Sequence, residues 1–173
     1  MKTKKLLSAV LILSLSLITV ACSGNKNENS STTIANPLVP VASVSEFESK
    51  LGIAFDENYI PEDANLTIIA GNLAEIKYFE DNVNDEEVEV TLRASKNTSE
   101  DISGVYDENM TSSELSLYNV DFTERISEST GYEIYDFEKD GVKYCFMVHG
   151  EVSQMMMGEL LDRTMLICKL PIE

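Results

Sequence analysis

Side chains able to carry chemistry are sparse in this sequence, and their spacing limits what each could do. The only histidine, His149, stands four residues after Cys145. An extended run puts both on one face of a strand, which suggests a thiol nucleophile and its base. Four extended residues, however, separate the two Cα atoms by roughly 13 Å, beyond the hydrogen bond that activates a thiol. Asp81, Asp85, Glu86, Glu87 and Glu89 offer the several oxygen ligands that calcium requires. Their spacing fits no calcium loop, no glycine stands among them, and strand alternation sends Glu87 and Glu89 to one side and Glu86 to the other. A solvated hairpin tip is the expectation, and no metal or other cofactor is expected. One histidine and 3 cysteines are also too few for a zinc site. Met155, Met156 and Met157 suggest a soft, adaptable apolar surface, but three consecutive helical positions cannot face one way, so packing with at least one exposed is expected. Cys145 and Cys168 both sit in apolar, strand-like runs. They form either a disulfide, as two thiols of an exported domain can, or two buried free thiols.

The elements that must position these groups are mostly strands. Ser43 to Gly52 predicts a short helix: Ser43 and Glu46 have capping-box spacing, Val44, Phe47 and Leu51 share one face, and Gly52 suits a left-handed C-cap. After a turn at Pro61, the runs Leu66–Ala70, Ala74–Phe79 and Val88–Arg93 are rich in β-branched and aromatic residues. Gly71-Asn72 and the acidic stretch Asp81 to Glu86 separate them, which predicts antiparallel hairpins. Leu115–Phe122 and Tyr132–Phe137 read as further strands. Asp140-Gly141 joins the latter to Val142–Val148, and this pair is a strong hairpin signal; the last strand is apolar on both faces, which predicts a central place. Ser153–Arg163 reads as a helix with Ser153 as N-cap, weakened by Gly158, and Met165–Leu170 as a final strand. The expected fold class is α+β, an antiparallel β-sheet with two or more helices packed on one face, forming a single domain over residues 41–173.

The first forty residues have a different character. Three lysines among the first five residues precede an apolar run from Leu6 to Val20, the pattern of an export signal that falls short of the ~20 residues of a membrane-spanning helix. Ile18-Thr19-Val20-Ala21-Cys22 resembles the lipobox of bacterial lipoproteins, with Thr19 in place of the usual leucine. The resemblance implies a signal peptide over residues 1–21 and lipidation at Cys22 by diacylglycerol, a firm anchor where a single acyl chain is marginal. Residues 22–40 read as a disordered tether spanning roughly 25 Å. The expected location is outside the cytoplasmic membrane, held to its outer face. Of 13 Lys and Arg, Lys2, Lys4 and Lys5 lie in the leader and no acid does, so the remainder carries 10 basic against 30 acidic residues, a formal charge of −20. Such a surface repels nucleic acid, which is not expected as a partner.

Within the exported part, Val90 to Tyr106 is similar to the signature of the domain of unknown function 4367 family, found in exported proteins of Gram-positive bacteria. In that family a strand ending in tyrosine-arginine is followed by a lysine-glycine turn and then Glu-Asp-Ile-Ser-Gly. Arg93, Lys96, Glu100, Asp101, Ile102, Ser103 and Gly104 match, whereas Leu92 stands for the tyrosine and Asn97 for the turn glycine. The likeness extends from about Val41 to the helix at Ser153 and implies no particular activity. Physically, Arg93 can pair with Glu100 or Asp101 and pin the loop, and Gly104 permits a backbone angle that other residues resist. Arg93, Lys96, Glu100, Asp101, Ser103 and Gly104 therefore form the candidate loop or ligand site. The expected function is a membrane-anchored, non-catalytic binding or sensing module, with a protein, a peptide or a small apolar ligand as partner. A hydrophobic-ligand carrier resembling the lipoprotein-carrier half-barrels and a carboxylate-based hydrolase are the alternatives.

Overall fold

Among the described residues, alternating apolar residues and positive-φ turns fold eight strands into a single sheet. The computed structural model describes residues 38–172; the expected signal peptide, the expected lipidation at Cys22 and the expected tether as far as residue 37 lie outside the described residues. Strand β1 (Leu38–Pro40) precedes helix α1 (Ser45–Leu51), a 3-10 turn at Glu57–Tyr59, and strands β2 (Asn65–Ile69), β3 (Leu73–Asp81) and β4 (Glu87–Lys96). After a long connection come β5 (Thr111–Leu117), β6 (Val120–Ser127), β7 (Tyr132–Lys139), β8 (Val142–His149) and helix α2 (Gln154–Ile167). The strand order is β1-β2-β3-β4-β8-β7-β6-β5. All neighbours are antiparallel. Two meanders, β1 to β4 and β5 to β8, thus meet at a central seam where β4 pairs with β8.

The expected α+β class is therefore corrected. The chain is β-rich, one 8-stranded antiparallel sheet with only two helices among the described residues. Two segments add strands that were not expected, and a third departs the other way, from strand to helix. Leu115–Phe122, read as one strand, is two strands around a tight turn in which Tyr118 (φ 54) and Asn119 (φ 59) both take left-handed angles. Residues 38–40, assigned to the tether, form β1 against β2. Met165–Leu170, read as a last strand, instead prolongs α2 to Ile167 with Cys168 as its C-cap. Its apolar residues continue a helical stripe, Met157, Leu160, Leu161, Thr164 and Met165, all buried.

The hairpin at Asp140 (φ 52) and Gly141 (φ 74) is the two-residue loop its dipeptide predicts. Helix α1 departs from the capping box: its N-cap is Val44, Ser43 makes no cap, and only the Glu46 carboxylate reaches back, accepting from the Ala42 amide at 2.7 Å. Helix α2 is capped as expected by Ser153, which accepts from the Met156 amide at 3.2 Å. No described helix is long and apolar enough to cross a membrane.

The two sheet faces are covered differently. On one face Tyr78, Val90, Phe122, Phe137, Tyr144 and Phe146 pack with Phe47 of α1 and Met165 of α2 in the main core. Each such side chain contributes about 1.5–3 kcal/mol on burial, and the rings of Phe137 and Tyr144 stack with centroids 4.9 Å apart. On the other face Ile134, Cys145 and Met147 form a smaller cluster with Ile102 from the β4–β5 connection. Strand β8 is apolar on both sides because it feeds both clusters. The disulfide alternative is corrected by the same geometry: Cys145 and Cys168 are free and buried, and they belong to the clusters on opposite faces of the sheet. Burial pushes both thiols well above the ordinary cysteine range.

Candidate functional site

Residues 97–110 run across the second face as an irregular strap, held by two arginines that project from the sheet. Antiparallel register sets Glu75 of β3, Arg93 of β4, Cys145 of β8 and Asp136 of β7 in one cross-strand row. Arg93 donates through Nε to Glu75 Oε2 at 2.8 Å, and its Nη1 reaches two strap carbonyls, Ile102 at 3.2 Å and Ser103 at 2.5 Å. One row over, Arg125 of β6 donates through Nε to Asp136 Oδ2 at 2.7 Å and clamps the two Asp101 oxygens at 2.9 and 3.1 Å. Lys143 adds a bond from Nζ to the Glu100 carbonyl at 2.7 Å. Charge-assisted bonds of this kind are the stronger ones, and they substitute for the regular ladder that the strap lacks. Partial burial pushes the Asp101 carboxyl up, but the Arg125 guanidinium and the Ser103 amide outweigh it and hold the group below the ordinary carboxylate range. Asp107, at the far end of the strap, accepts from the Ser127 and Ser129 hydroxyls at 2.5 and 2.7 Å, which lowers its carboxyl too.

Gly104 is required twice over. Its φ is +67, and a Cβ there would lie 2.8 Å from Arg93 Nη1. The missing side chain lets the guanidinium reach the strap backbone.

Between the strap and strands β3, β4 and β8 is a groove of about 290 Å³, at the small end of the ~300–1,000 Å³ range of ligand sites. Thr91 and Met147 line its floor, both nearly inaccessible. Lys77 and Glu89, paired at 2.9 Å, form one wall, and Ser103 with Gly104 the other. Tyr132 lines a further side with its ring stacked on His149 at 4.6 Å, and Tyr106 stands at the rim, 88% exposed.

Of the residues singled out by sequence, Arg93, Asp101, Ser103 and Gly104 come together in or beside this groove. Lys96 does not: its ammonium lies against Gly52 at the end of α1. Glu100 contributes a carbonyl and leaves its side chain exposed. The ion pair expected between Arg93 and Glu100 or Asp101 is replaced by two others, Arg93 with Glu75 and Asp101 with Arg125. Glu89 entered only as a calcium candidate, and Lys77, Thr91, Arg125, Tyr106 and Tyr132 were not anticipated. For those on β3 and β4 the signal was polar residues at alternate positions of otherwise apolar strands, Glu75 and Lys77 in β3 against Glu89, Thr91 and Arg93 in β4. Among the described residues no three His, Cys, Asp or Glu side chains gather as metal ligands. At the acidic hairpin tip the turn is organised by Asn82, whose Oδ1 accepts from the amides of Asn84 and Glu86 at 2.8 and 3.0 Å. His149 is exposed and Cys145 buried beneath the strap. No family model, no curated protein and no solved structure matches the chain.

Proposed function

We propose that the chain is a lipid-anchored, non-catalytic binding module outside the cytoplasmic membrane, with the groove under the strap as its ligand seat. The observation that carries this reading is the groove's composition: the Thr91 hydroxyl, a Ser103 hydroxyl that already accepts from the Val105 amide, a pre-formed Lys77–Glu89 pair and a guanidinium already committed to its neighbours. Such a seat offers both donors and acceptors with little net charge, which suits a small polar ligand better than the apolar one considered from sequence. A carboxylate hydrolase needs two acids about 5–9.5 Å apart across the scissile bond, whereas Glu89 is the one carboxylate in the lining and is paired with Lys77. A hydrophobic carrier needs an open apolar cavity, and the helix-covered face is instead filled by Tyr78, Phe122 and Phe146, each at most 1% exposed. The Glu100–Gly104 segment that carries the family resemblance forms part of the strap, so membership of that family belongs to the same proposal. The anchor rests on Cys22 and its lipobox, and the acidic surface disfavours nucleic acid.

Native mass spectrometry of the full-length protein extracted from its host tests the seat. A noncovalent polar adduct is expected on the wild type and absent from Thr91→Val, which keeps the volume and removes the hydroxyl. Wild type free of any adduct beyond the acyl mass would defeat the binding reading. Fatty-acid labelling that persists in Cys22→Ala would defeat the anchor.

A further inference from the structure

The two edges of the sheet are finished in opposite ways. Strand β1 is three residues long and ends in Pro40, which has no N–H to offer; a very short, proline-bearing edge is a common guard against unwanted pairing. Strand β5 at the other edge is seven residues long, contains no Pro, Lys or Arg, and is exposed throughout except for the half-buried Leu115. Its hairpin with β6 has a two-residue loop, so Leu117 and Val120 close it as a hydrogen-bonded pair. Counting back from that pair, Thr111, Ser113, Leu115 and Leu117 bond to β6. Ser112, Glu114 and Ser116 then turn their N–H and C=O groups outward. A row of this kind is a template for an added strand.

The side chains around this edge select what can pair there. Glu114 accepts from the Thr123 hydroxyl at 3.1 Å, and Glu124 accepts from the Ser113 hydroxyl at 2.6 Å. The Tyr135 hydroxyl lies between Glu133 and Glu124, at 2.7 and 3.0 Å. None of Glu114, Asp121, Glu124 and Glu133 has an ion-pair partner among the described residues. Their charge lies on both faces at this end of the sheet, since Glu114 shares a face with Thr123 while Glu124 pairs with Ser113 on the other. A second copy of the chain is a poor occupant: the two-fold pairing centred on β5 sets Glu114 opposite Glu114, and like charges directly opposite are destabilising.

We propose that β5 is a docking edge for an extended, lysine- or arginine-bearing segment of another protein, which adds a strand to the sheet. Backbone bonds supply the pairing, and the uncompensated carboxylates supply the preference for basic side chains. The inference stands on the sheet edge and does not depend on the groove.

Amide hydrogen exchange of the full-length protein tests it, with a seven-residue peptide of alternating lysine and valine as probe and the same peptide with glutamate for lysine as control. The lysine peptide is expected to slow exchange at Ser112, Glu114 and Ser116 by about tenfold or more, and the glutamate peptide to leave it unchanged. Ser112→Pro removes an outward donor at a position where an edge strand tolerates proline, and Glu114→Lys reverses the central charge; each should abolish the protection. Should Ser112→Pro unfold the protein, Glu114→Lys decides. Three results overturn the proposal: unchanged exchange at these amides with the lysine peptide, equal protection by both peptides, or protection without peptide that grows with protein concentration.

Discussion

Gly104 shows how one missing methyl group arranges a site. An alanine there meets both a left-handed backbone angle and the Arg93 guanidinium. Gly104→Ala is expected to cost about 1–3 kcal/mol through backbone strain and the displaced arginine, read as a lower urea midpoint at unchanged slope. Asp101 adds a dependence on acid. Its carboxyl is held below the ordinary range in the folded state, so its stabilising contribution is complete above the unfolded value and fades as pH falls through the folded one. Asp101→Asn should therefore lower stability at neutral pH and make the acid limb of the stability curve shallower. Equal acid slopes for variant and wild type would contradict the Arg125 pairing. Both residues were legible in sequence through the motif, but their partners were not. An ion pair across a sheet is set by register, and the row Glu75, Arg93, Cys145, Asp136 joins residues that local spacing cannot relate.

Among the elements, turn chemistry decided what could be read. Asp140-Gly141 declared its hairpin because glycine accepts a left-handed angle freely. Tyr118-Asn119 forms the same kind of loop without a glycine, so the run from Leu115 to Phe122 looked continuous. Asn119→Gly should relieve the φ of 59 and stabilise the protein by about 0.5 kcal/mol, a rise of a few degrees at most in thermal unfolding. The apolar run after Met165 was ambiguous for another reason: short apolar stretches do not distinguish a buried strand from the last turn of a helix. The strap has its own test. Removing the charge-assisted anchor with Arg93→Met should speed amide exchange across residues 100–105 while leaving β8 protected, because the strap lacks a ladder of its own. If β8 loses protection equally, the arginine supports the sheet rather than the strap.

For the whole molecule, the turns within each meander were more legible than the joining of the two. The hairpins at Gly71-Asn72, at the acidic stretch after Asp81 and at Asp140-Gly141 were anticipated, whereas the β4–β8 seam, which pairs Lys96 with Val142, follows from no local signal. The placement of Cys145 and Cys168 on opposite faces predicts that reducing agents leave the melting temperature unchanged. A bulky thiol reagent should modify neither residue until denaturant is added, and modification of one alone in the native protein would show that its face opens first. The seam also governs how the chain reaches its native state. Apart from β1–β2, which spans the segment carrying α1, the other pairings close short hairpins, but this one closes only after some 45 intervening residues have come round, an entropic cost that sequence-distant contacts must meet before they reward the chain. Each meander can therefore zip independently on a fast timescale, and collision of two half-formed ribbons sets the slow step of refolding. Trimming Phe146 to leucine at the junction should consequently retard refolding, while trimming Phe122 in the distal ribbon should chiefly hasten unfolding.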